Sequence, residues 1–77
     1  MKIYCVSAIL HKFCKKDGDN IILSRHQAGI AISISEKKAK ETFFRNDLIE
    51  WIAQGYEIAS IIVLDETDYI KKHLNDE

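Results

Sequence analysis

The sequence predicts an α+β fold: a three-stranded antiparallel sheet in the order 2-1-3, in a β-β-α-β arrangement, with a main helix on one face and a short C-terminal helix. Three observations predict it. The run Lys2 to Phe13 is apolar at both odd and even positions, which marks a strand buried on both sides. The run Glu57 to Asp65, E-I-A-S-I-I-V-L-D, has the same two-faced character. Between them lies one long helical pattern, so a right-handed crossover sets the third strand beside the first and makes the first strand central. The whole chain, residues 1–77, is read as one domain.

The first strand, K-I-Y-C-V-S-A-I-L-H-K-F, is rich in β-branched and aromatic residues and has no glycine. Lys15 to Asn20, K-K-D-G-D-N, brings the Asp-Gly chemistry of a hairpin turn, because glycine takes positive φ without a Cβ penalty. The return strand starts as N-I-I-L-S-R-H and resumes as G-I-A-I-S-I-S, with Gly29 predicting a bulge or short break. Ile30, Ile32 and Ile34 share one of its faces, and its polar middle, Ser24 to Gln27, suits a sheet edge.

Ser35 or Ser33 caps the helix, Ser33 standing three residues before Glu36 as in a capping box. The apolar periodicity then slips. Ala39 and Phe43 form one stripe and Phe44, Leu48, Trp51 and Ile52 a second, rotated by roughly 100°. Either the helix runs straight with a wide apolar face, or it kinks or restarts near Asn46, where Asp47 and Glu50 have capping-box spacing. Gly55 is suited to the position just past the helix end. In the third strand, alternation sets Ile58, Ile62 and Leu64 against Ala59, Ile61 and Val63. Asp65 or Thr67 then caps the closing helix T-D-Y-I-K-K-H-L.

One helix covers one face of a sheet, yet the first and third strands offer apolar residues to both. Either the C-terminal helix folds back over the second face on Tyr69, Ile70 and Leu74, or a second copy or a target protein covers it. An edge offers another route: the second or third strand can pair across a two-fold axis, and the third carries no Lys or Arg to discourage that.

Composition excludes more than it assigns. A formal net charge of −1 with mixed signs gives no field toward nucleic acid or anionic membrane. The chain contains no proline, no low-complexity tract, no apolar run of transmembrane length and no signal-peptide pattern at Met1, so a folded cytoplasmic protein is expected. Its two cysteines, Cys5 and Cys14, lie roughly 30 Å apart if their strand is straight and so do not pair with each other.

Chemistry-bearing motifs are sparse. His11 and Cys14 form an H-x-x-C pair, with His26 and His73 as conceivable completions, but positions three apart on a strand face opposite ways, so no metal or other cofactor is expected. Cys14 sits among Lys12, Lys15 and Lys16, whose charges favour a thiolate, yet no motif supplies a base or an oxyanion hole, so no enzyme is expected. The hairpin tip H-K-F-C-K-K interleaves bases with an aromatic, and Lys12, Lys15, Lys16 and Arg25 are the residues of an alternative, nucleic-acid-binding reading. Trp51 is read as core.

S-E-K-K-A-K-E-T-F, Ser35 to Phe43, and G-Y-E-I before the last strand sit in a layout that resembles small accessory proteins of phages and prophages. Some anti-CRISPR proteins are similar in their β-β-α-β plan. The resemblance is one of architecture and transfers no functional residue. It implies a protein that binds and blocks a larger complex without cofactor or catalysis. The function expected is therefore a non-enzymatic protein-binding module, a homodimer, the ligand of a target protein, or both, with Tyr4, Ile58, Ile62 and Tyr69 as contact residues.

Overall fold

The computed structural model describes the chain from Met1 to Asn75. Two long strands, β1 (Lys2–Lys16) and β2 (Asp19–Ser33), form a hairpin in which all fifteen residue pairs keep one register, from Lys2 opposite Ser33 to Lys16 opposite Asp19. Asp17 and Gly18 are the two turn residues, with φ of 53° and 84°. Both positive values match a type I′ turn, whose twist suits the strands it joins.

The main helix has three parts: α1 (Glu36–Phe43), a π-helical turn (Phe44–Leu48) and α2 (Ile49–Ala53). Ser35 is its cap, the hydroxyl accepting from Lys38 N at 3.2 Å. The π turn accounts for the slipped periodicity. Ile49 N–H donates to Phe44 O, five residues back, so one turn takes up an extra residue and Leu48 falls into line below Phe43 and Ala39. No kink with a new side-chain cap is needed, and the consequence is local: Phe43 is buried, whereas Phe44, expected on the second stripe, is 39% exposed at the side of the helix.

The helix ends in a Schellman motif, Tyr56 N–H donating to Trp51 O at 3.1 Å and Gly55 N–H to Ile52 O at 3.0 Å, with Gly55 at φ +101°. Chain direction reverses there into β3 (Glu57–Asp65), which pairs antiparallel with Tyr4 to His11 of β1. The sheet order is β2-β1-β3, as the crossover rule requires. A final helix, α3 (Thr67–Asn75), follows.

The core lies between the main helix and one face of the sheet: Tyr4, Val6, Ala8 and Leu10 of β1, Ala31 of β2, and Ala39, Phe43 and Leu48 of the helix. Trp51, expected in the core, is only half-buried at its margin.

Two irregularities lie where alternation does not point. Gly29 makes no bulge in β2; a Cβ there would sit 3.3 Å from Phe43 Cε2, so the glycine instead lets the helix approach the sheet. The bulge is in β3, where Ser60 pairs with Ile9 and Ile58 with Leu10, leaving Ala59 as the extra residue. That extra residue turns Ile58 over, onto the face of Leu10.

Candidate functional site: the open sheet face

Side chains at odd positions of β1 point away from the helix and meet their same-face partners on β2 and β3. Ile3, Cys5, Ser7 and Ile9 stand opposite Ile32, Ile30, Ala28 and His26, and Cys5 and Ser7 stand opposite Leu64 and Ile62 on the other side. Further along the hairpin, Phe13 stands opposite Ile22.

No described element covers this face. Ile30 is 68% exposed, Ile32 64%, Ile62 55% and Leu64 53%. At its centre Ser7, Ala28 and Gly29 form the floor of a shallow depression of about 360 Å³, walled by Ile30, Ile62 and Leu64. Small residues in the middle and branched aliphatic ones around them give a recess with an apolar rim.

The C-terminal helix does not close the face. It is held to the start of β1, Ile3 O accepting from Glu66 N–H at 2.9 Å and Ile3 N–H donating to Thr67 Oγ1 at 2.8 Å. Thr67 Oγ1 in turn donates to Asp65 Oδ1 at 2.6 Å, and Lys2 Nζ approaches Asp65 Oδ2 at 3.4 Å. These partners, the Thr67 hydroxyl first, hold the Asp65 carboxyl below the ordinary carboxylate value. Ile70 is half-buried, but Tyr69 is 62% exposed and rests on His73, ring centroids 4.2 Å apart. Leu74, the third residue of the expected inner stripe, lies outside the residues whose side chains are described.

Of the four expected contact residues, two lie on or beside the open face and two do not. Tyr4 is 6% exposed beneath the helix, and the bulge puts Ile58, 40% exposed, on the helix-bearing face. Ile62 is on the open face, and Tyr69 is on the adjoining helix. The structure adds Ile30, Ile32, Ile9 and Leu64, whose shared face was visible for Ile30 and Ile32 in the alternation of β2.

Three of the four basic residues of the alternative reading, Lys12, Lys16 and Arg25, fall on the helix-bearing face of the hairpin. Arg25 lies flat on Trp51, its Cζ 3.3 Å from the ring centroid, and Lys12 Nζ is 5.7 Å from the Tyr56 centroid. Gln27 completes the first cluster; with its amide oxygen turned toward them it accepts from Trp51 Nε1 at 2.9 Å and Arg25 Nε at 2.8 Å. Trp51 and Tyr56 meet edge to face at 5.9 Å. Arg25 and Lys12 are thus aligned with the aromatic end of the helix, while Lys15, opposite Asn20, belongs to the other face of the hairpin.

His11 and Cys14 likewise fall on opposite faces, and no cluster of three or more metal-ligating side chains exists among the described residues. Both cysteines are free. None of the described helices is long and apolar enough to cross a membrane. Compared with known proteins, the chain matches no family model, no curated protein and no solved structure.

Proposed function

We propose that this chain is a non-enzymatic protein-binding module whose contact surface is the open face of the sheet, and that it also self-associates. One observation carries the reading: a sheet face whose exposed side chains are predominantly aliphatic, left uncovered by every described element. Seven large apolar side chains, Ile9, Phe13, Ile22, Ile30, Ile32, Ile62 and Leu64, are each 43% exposed or more on it. At roughly 100 Å² apiece they amount to about 700 Å², close to the roughly 800 Å² that each partner brings to a standard-size interface. Phe13 and Ile22 are set off from the other five by the His11–Ser24 pair, and exposed apolar surface of several hundred Å² is costly to leave in water and characteristic of protein contact. A flat apolar face with a shallow recess suits the blocking of a larger protein complex, the action implied by the resemblance to phage and prophage accessory proteins.

The test is a photo-reactive amino acid placed at position 30 or 62, on the open face, and at position 37, on the exposed outer side of the helix. Irradiation in the cells that make the protein is expected to give adducts from positions 30 and 62, identified by mass spectrometry, and none from 37. Absence of any protein adduct from the open face would remove the reading.

A further inference from the structure

We infer that a second copy of this chain pairs along the free edge of β3, joining two three-stranded sheets into one of six strands. This rests on the self-association in the reading above, and it assigns that contact to the edge, leaving the open face for another protein.

β3 is an outer strand, and its regular part beyond the bulge, Ser60 to Leu64, contains no Lys, Arg or Pro. Outer strands usually carry such residues to discourage pairing. β2, the other edge, has Asp19 at one end and Arg25 and His26 at mid-length. The two edges therefore differ in kind.

The helix makes the same distinction. It lies close to β2, Phe43 packed against Gly29 and Trp51 against Arg25 and Gln27, so the β3 side of the sheet is left with a groove. Phe44 and Ile49 project from the helix into it, 39% and 47% exposed, and with Ile61 of β3 they line about 450 Å³ of mostly apolar space. A strand added beside β3 would extend the floor of that groove and bury both side chains.

Symmetry selects a second copy as the occupant. A two-fold axis perpendicular to the sheet keeps both helices on one side and pairs only residues of the same face. Centred on Ile62, it sets Ile62 opposite Ile62, Ile61 opposite Val63 and Ser60 opposite Leu64. No like charges meet in this register, and Asp65 falls opposite the bulged Ala59. The two grooves then face each other. Their rims carry Lys40, Glu41 and Arg45, so each copy brings both signs of charge to an isologous contact.

Light scattering after size-exclusion chromatography, from micromolar to near-millimolar concentration, tests this on the full chain and two variants. The expected results are a wild-type particle of twice the 8.9 kDa chain mass, a folded monomer for Ile49→Lys and an unchanged dimer for Ile30→Lys. Amide exchange on the wild type needs no variant: within Ser60 to Leu64, the alternate N–H groups that point away from β1 are expected to exchange more slowly as concentration rises. A dimer broken by Ile30→Lys but not by Ile49→Lys would overturn the edge and leave the open-face reading standing. A wild-type monomer throughout, or β3 amides indifferent to concentration, would also overturn it, while the adducts from position 30 decide the wider reading separately.

Discussion

Asp65 ties three parts of the molecule together through short polar contacts. Its carboxylate accepts from Thr67 N–H at 3.1 Å and from the Thr67 hydroxyl at 2.6 Å, and that hydroxyl accepts from Ile3 N–H at the start of the central strand. Because its pKa is lowered on folding, the group stabilises the native state at pH above the ordinary carboxylate value of 3.8. That contribution is lost as pH falls below this value through the folded pKa. Asp65→Asn is expected to lower stability at neutral pH and to flatten part of the acid limb of a urea-midpoint profile measured from neutral pH downward. An unchanged acid limb in the variant would mean that the contact does not bias folding. Burial at Tyr4 teaches a different lesson at the same scale. Its strand is apolar on both faces, so nothing in the sequence distinguishes the face the helix takes from the face left open, and Tyr4 lies on the helix side.

Among the elements, those specified by local chemistry were legible in the sequence and those specified by tertiary contact were not. The Asp17-Gly18 turn, the Ser35 cap and the Gly55 termination each follow from residues within a few positions of one another. The β2-β1-β3 order follows from chain order and handedness. Gly29, by contrast, carries the sequence signal of a bulge, but its role is to admit Phe43 from a distant helix. The real bulge at Ala59 has no glycine to mark it. The helix was half legible: its slipped periodicity is plain in the spacing of Ala39, Phe43 and Leu48, and a single π turn resolves it. Deleting the exposed Asn46 would remove the extra residue and bring Leu48 to four positions after Phe43, in line with it on an ordinary α-helix. Leu48, fully buried, would then stay in the core. We expect the deletion to change stability by less than about 1 kcal/mol, measured by urea denaturation; a loss of about 2–5 kcal/mol, typical of emptying a buried leucine site, would show that the helix cannot keep Leu48 in place without its π turn.

At the scale of the whole molecule, the hairpin outruns everything packed on it. β3 stops at His11 of β1, so Lys12 to Lys16 and their partners form a two-stranded ribbon at one end of a body measuring 55 × 23 × 15 Å. The connection lengths of the two ladders are just as unequal. β1 and β2 are joined through two residues, whereas β3 reaches β1 only after the return strand and the whole helix. Loop closure favours the near pairing, so the hairpin has the makings of a folding nucleus and β3 of a late arrival. Gly18→Ala, strained by the φ of 84° it inherits, is expected mainly to slow refolding, while Val63→Ala mainly speeds unfolding, as read from the two limbs of a chevron plot. Equal effects on both limbs for the two variants would remove this order. During synthesis, too, the hairpin leaves the ribosome before β3 exists. The central strand then waits with one edge bare, and in that interval the β3 of a neighbouring chain is as good a partner as its own.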